Sequence, residues 1–115
     1  MNELELQLLR ETVGDDEPTL CLQSQAKIDA GRWWRKTPLW ICVVGEQLVL
    51  LAVARRRYAE KIDIAECPDS YYNPATGELV IEPYEKLRYK RIKLSPRQAI
   101  QVLKILNPRS LGKTL

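Results

Sequence analysis

The stretch that most restricts the fold is a pair of β-rich runs, Leu39-Trp40-Ile41-Cys42-Val43-Val44 and Gln47-Leu48-Val49-Leu50-Leu51-Ala52-Val53, parted only by Gly45-Glu46. Glycine takes the positive φ that a two-residue hairpin turn requires, so the spacing predicts a tight antiparallel hairpin. A period of two continues on both sides of it. Upstream, Leu20, Leu22, Ser24, Ala26 and Ile28 alternate with Gln23, Gln25, Lys27 and Asp29, the pattern of a half-buried strand, and residues 30–38 read as a loop. Downstream, Arg55-Arg56-Arg57 marks a turn. Tyr58, Glu60, Ile62 and Ile64 then alternate with Ala59, Lys61 and Asp63 in a fourth strand closed by Pro68-Asp69.

Ser70-Tyr71-Tyr72 and Glu78-Leu79-Val80-Ile81 flank Asn73-Pro74-Ala75-Thr76-Gly77 and predict a second hairpin. Beyond Pro83 the parity slips, from Leu87 and Tyr89 to Ile92 and Leu94, which requires a bulge or a loop-to-strand change between Tyr89 and Ile92. Ser95-Pro96-Arg97-Gln98 is a helix start, with a capping serine, a proline at the first helical position and a glutamine to complete a capping box. Ala99, Ile100, Val102, Leu103, Ile105 and Leu106 form a broad apolar stripe, and Asn107-Pro108 ends the helix. At the other end of the chain, Leu4, Leu6 and Leu8 alternate as in a strand, but the Glu, Leu, Gln and Arg content of residues 2–13 favours a short helix. Gly14-Asp15-Asp16-Glu17-Pro18 then interrupts any regular element. The expected organisation is an N-terminal segment with an acidic linker over 1–18, a folded domain over 19–107 and a frayed tail over 108–115.

A chain of 115 residues, 45% hydrophobic and 29% charged, is one domain's worth and excludes a multidomain enzyme. No apolar run reaches the roughly 18 to 20 residues of a membrane span, and the N-terminus opens on acids, so the expectation is a cytoplasmic protein. Cys21, Cys42 and Cys67 lie in apolar or alternating stretches, where a free thiol acts as a small hydrophobe in a reducing compartment. Histidine is absent, which removes the usual general base, zinc ligand and pH switch together. No cysteines have metal-ligand spacing, and no nucleophile has a base beside it. Gly112-Lys113-Thr114 is no phosphate-binding loop, because the glycine that such a loop needs five residues earlier is Asn107. The Asp15-Asp16-Glu17 run lacks the spacing of a calcium loop and reads as a hydrated linker. A noncatalytic protein without metal or cofactor is expected.

The net charge of +3 conceals an asymmetry. Glu3, Glu5, Glu11, Asp15, Asp16 and Glu17 face only Arg10 in the first 17 residues, whereas Lys86, Arg88, Lys90, Arg91, Lys93, Arg97, Lys104, Arg109 and Lys113 are accompanied by no acid from Lys86 onward. Mutual screening of head and tail is the plainest explanation.

Arg32-Trp33-Trp34-Arg35-Lys36 is the most informative surface candidate, since adjacent indoles in an extended segment cannot both point into a core. Indole offers rigid contact area and arginine offers charge, which suits a protein partner, a membrane surface or a stacked base. The plainer role is a tryptophan closing the domain's rim beside solvated bases. Trp40, between apolar neighbours, is expected in the core. Arg55, Arg56 and Arg57 are ordinary on a solvated strand edge, where positive charge discourages aggregation. The tract Lys86-Leu87-Arg88-Tyr89-Lys90-Arg91-Ile92-Lys93 reads as a strand with one wet face.

The order of elements resembles the pleckstrin-homology superfold, and specifically the compact bacterial PH-like domains. The resemblance covers 19–107 and rests on the hairpin at 39–53, the strand at 58–64, the hairpin at 71–81 and a strand at 92–94 leading into the helix at 96–106. It implies a mainly β fold, a barrel of six to seven antiparallel strands capped by the C-terminal helix, to which residues 2–13 add a short N-terminal helical segment. In that family the helix plugs one end, and loops at the open end commonly bind the ligand. By similarity those loops are 31–38 and the turn at Arg55, Arg56 and Arg57. Phosphoinositide-binding members carry a lysine late in the first strand, which Lys27 matches, and an Arg-x-Arg pair on the second, where this chain supplies no base.

Together these features point to a noncatalytic binding module for a protein partner, with Trp33 and Trp34 as anchors and Arg35, Lys36, Arg55, Arg56 and Arg57 as steering charges. The alternative is an anionic membrane surface or nucleic acid held by the basic loops and the 86–93 tract. A small-ligand or catalytic barrel would need a lined cavity. The acidic, leucine-bearing segment 2–13 is a candidate for docking on its own domain or for self-association.

Overall fold

The leucine-rich N-terminus folds as helix α1 (Glu3–Val13), started by a capping box: the Asn2 side chain accepts the Glu5 N–H at 2.9 Å, and Glu5 Oε1 accepts the Asn2 N–H at 2.9 Å. Gly14, at φ 84°, ends it. The computed structural model describes residues 1–29, 36–53 and 56–112 and is mainly β, with two antiparallel sheets and helices at both ends. It divides into two compact units, Met1–Ile62 and Asp63–Leu115.

In the first unit, β1 (Leu20–Asp29), β2 (Lys36–Val44), β3 (Gln47–Val53) and β4 (Arg57–Asp63) lie in sequential order in one sheet. The expected hairpin joins β2 to β3 through Gly45, at φ 59°, with Val44 paired to Gln47 and Trp40 to Leu51. Side-chain alternation then sorts the sheet. Cys42, Val44, Val49 and Leu51 form a cluster with Leu8 and Leu9 of α1, and Met1, Cys21, Trp40, Val53 and Ala59 pack around it. Leu39, Ile41, Val43, Leu48, Leu50 and Ala52, on the opposite face of β2 and β3, are 0–1% exposed, so this hairpin is dry on both faces.

β1 pairs with β2 through Leu20–Val43, Cys21–Cys42, Leu22–Ile41 and Gln23–Trp40, then shifts by two residues before Lys27–Pro38. Ser24 sits in this bulge, where its buried hydroxyl accepts the Ala26 N–H at 3.1 Å. Of the loop expected over 30–38, Lys36, Thr37 and Pro38 belong instead to β2, and the remainder lies outside the described residues.

In the second unit a 3-10 turn (Ile64–Glu66) follows β4, so Ile64 does not extend the strand as its parity suggested. β5 (Tyr71–Asn73), β6 (Glu78–Val80) and β7 (Arg91–Lys93) form the second sheet. Asn73 builds the β5–β6 turn: its side chain accepts the Ala75 N–H at 3.0 Å and its carbonyl accepts the Gly77 N–H at 2.8 Å. The parity slip proves to be a loop-to-strand change, with residues 81–90 outside any strand. The 86–93 tract is therefore a strand only at Arg91–Lys93, where buried Ile92 separates two exposed bases. Within the loop, Lys90 pairs with Glu82 at 3.3 Å and the Arg88 guanidinium lies 5.5 Å from the Tyr89 ring centre.

Helix α2 (Pro96–Leu106) has the expected boundaries and box, Ser95 accepting the Gln98 N–H and Gln98 accepting the Ser95 N–H, each at 3.2 Å. Ala99, Val102, Leu103 and Leu106 are buried, as are Leu79, Ile81, Ile92 and Leu94 of the same unit. The tail expected to fray from 108 instead folds into a further helical turn, α3 (Arg109–Gly112). Among the described residues no ladder closes the two sheets into one barrel, and no helix is long and apolar enough to cross a membrane.

Candidate binding groove

Of the expected rim residues, Trp33, Trp34, Arg35 and Arg55 lie outside the described residues. Lys36 opens β2. Arg56 is exposed at a bend, and Arg57, the first residue of β4, pairs with Glu11 of α1 at 3.2 Å. Lys61, further along β4, donates to the Thr12 carbonyl at 3.2 Å. These contacts put Arg57 and Lys61 in the service of α1 packing, at modest strength, since exposed ion pairs are worth about 0.2–1 kcal/mol. Trp40 is half-buried rather than deep in the core, because its indole N–H donates to Glu5 Oε2 at 2.6 Å. Glu5 itself is buried, and it completes the α1 capping box with its other oxygen.

The second unit holds a concavity that the rim expectation did not include. A groove of about 530 Å³ runs between the β5–β6 turn and α2, with Tyr71, Tyr72 and Pro74 on one wall and Pro96, Ile100 and Leu103 on the other. Leu111 of α3 also lines it. Tyr71 and Ile100 are 42% and 44% exposed, which makes them the prominent apolar surfaces of this unit.

Helical spacing places Pro96, Ile100, Leu103 and Asn107 along one side of α2, while Ala99, Val102 and Leu106 turn toward the core. The spacing between the walls is fixed by hydrogen bonds. Asn107 Nδ2 donates to the Ser70 carbonyl at 2.8 Å, tying the end of α2 to the residue before β5. The fully buried Ser70 hydroxyl donates to the Cys67 carbonyl at 3.0 Å and accepts the Glu82 N–H at 3.2 Å. Tyr72 OH donates to the Leu94 carbonyl at 3.2 Å, and Ser110 Oγ donates to the Asn107 carbonyl at 2.9 Å.

The Tyr72, Asn107 and Ser110 side chains thus donate to backbone carbonyls of the groove's own walls, and most of what it offers a ligand is apolar area. The exposed charges on α2 and α3 are Arg97, Lys104 and Arg109, and no acid occurs from Lys86 to the end of the chain. The width of the α2 stripe was the sequence signal for this site: Ile100 extends it beyond the face that a core needs, and Tyr71-Tyr72 puts aromatic side chains on both faces of a short strand. No family model, curated protein or solved structure matches the chain.

Proposed function

We propose that this protein is a noncatalytic binding module of PH-like architecture whose groove accepts a short partner segment carrying both apolar and acidic side chains. The architecture is supported by a sheet of four sequential strands, a second of three and a helix after the last strand. The ligand class rests on one observation: Tyr71 and Ile100 expose apolar surface over a groove one wall of which is α2, whose exposed charges, Arg97 and Lys104, are both basic. Apolar area supplies affinity, and the bases on α2 and α3 favour an acidic partner.

Panning a random peptide library against the immobilised protein tests this. Acidic peptides with aromatic or aliphatic anchors should be enriched, and the exposed substitution Ile100→Lys should weaken them at least tenfold without lowering Tm. Absence of enrichment, or binding indifferent to Ile100→Lys, defeats the proposal. On the first unit, Trp33, Trp34, Arg35, Lys36, Arg55 and Arg56 remain a proposed second contact. Replacing Trp33 and Trp34 by Ala should reduce partner capture while the protein stays folded.

A second reading is favoured by the exposure of Arg91, Lys93, Arg97, Lys104 and Arg109. Under it, this unit rests on an anionic lipid surface or a nucleic acid. Retention on phosphatidylserine vesicles or an oligonucleotide would then fall steeply with salt, and no retention at low salt removes that reading.

A further inference from the structure

Cys21 of β1 and Cys42 of β2 stand directly opposite one another in an antiparallel pair, with their sulfurs 2.8 Å apart. Directly opposed residues have Cα atoms about 4.5 or 5.5 Å apart, both inside the range of about 4.4–6.8 Å that a disulfide spans. The two thiols differ in environment. Cys42 is wholly buried beneath α1, whereas Cys21 is partly exposed. The hydrogen bond between the two sulfurs holds the Cys21 thiol below its ordinary pKa, and the same bond, together with burial, pushes Cys42 up. Cys67, in the other unit, is 0% exposed, with Ile64 and Asp63 carbonyls as its sulfur's polar neighbours.

We propose that Cys21 and Cys42 are a reversible dithiol–disulfide site, oxidised by hydrogen peroxide, which covalently links β1 to β2. The Cys21 thiolate attacks one peroxide oxygen and the O–O bond breaks. Hydroxide leaves and is protonated to water, and Cys21 becomes a sulfenic acid. The Cys42 sulfur then attacks the Cys21 sulfur as the S–O bond breaks, and the departing hydroxide takes the Cys42 proton as a second water. Two thiols and one peroxide yield one disulfide and two waters. A dithiol such as dithiothreitol reverses the link by exchange, and is itself oxidised.

The test treats the folded protein with hydrogen peroxide, then alkylates under denaturing conditions and maps the peptides. The expected products are a cross-linked peptide joining Cys21 to Cys42 and an alkylated Cys67. Closing the 21–42 loop should raise Tm by on the order of 10 °C, an increase that dithiothreitol removes. In Cys42→Ser, peroxide should stop at a Cys21 sulfenic acid that dimedone traps. Should that core variant fail to fold, the wild-type map and the Tm of Cys21→Ser, which should not respond to peroxide, decide the matter. Alkylation of all three cysteines after oxidation, a Cys21-linked dimer with Cys42 free, or a cross-link involving Cys67 would each overturn the proposal.

Discussion

Glu5 does three things at once: it closes the α1 capping box, receives the Trp40 indole N–H and stays 6% exposed. Glu5→Ala deletes the acceptor of a charge-assisted hydrogen bond and leaves the indole nitrogen unsatisfied, which should cost about 1–3 kcal/mol in urea unfolding and shift the tryptophan emission. Cys67 carries a pH prediction. Burial pushes its thiol up from the ordinary value of 9.0 to about 11. Between those values the unfolded chain releases a proton that the folded chain keeps, so stability is full below pH 9 and falls as pH rises toward 11. The difference between wild type and Cys67→Ala, measured by urea unfolding at pH 8 and pH 10.5, should change by on the order of 2 kcal/mol in that direction. An unchanged difference would refute it.

At the scale of single elements, what was legible in the sequence tracks how local the cause is. The start and end of α2 could be read because Ser95, Pro96, Gln98 and Asn107 act within one turn of the backbone they cap. Ser95→Ala should therefore cost about 1 kcal/mol in denaturant unfolding. The β2–β3 turn was legible for the same reason, and so was the Asn73–Gly77 bend. Gly77 holds φ 72°, so Gly77→Ala should destabilise by about 1 kcal/mol even though its Cβ would meet nothing closer than the Tyr72 hydroxyl at 3.9 Å. The pairing of Cys21 with Cys42 was not legible, because the two-residue shift at Ser24 resets the register between the strands. Residues 86–90 alternate in composition without entering a ladder, which only their tertiary neighbours decide. Tail residues 109–112 become helical through local bonds that no capping motif advertised: the Asn107 carbonyl accepts both the Ser110 N–H, at 3.1 Å, and the Ser110 hydroxyl.

Across the whole molecule, the β2–β3 hairpin carries the burial of the first unit. Ile41→Ala removes a side chain that is 0% exposed and should cost about 2–5 kcal/mol, measured by thermal unfolding. Burial and exposure together also explain why the mainly β character was readable from alternation while the groove was not. A groove is an absence of side chains between elements, and one-dimensional spacing registers only what borders it, Ile100 beyond the core stripe and the adjacent aromatics Tyr71-Tyr72.

The clasp between Asn107 and Ser70 has one consequence for the proposed binding. A slot whose jaws are bolted together at one end cannot adapt by opening wider. Its selectivity would drift through replacement of the two side chains at its lips, with the frame left untouched.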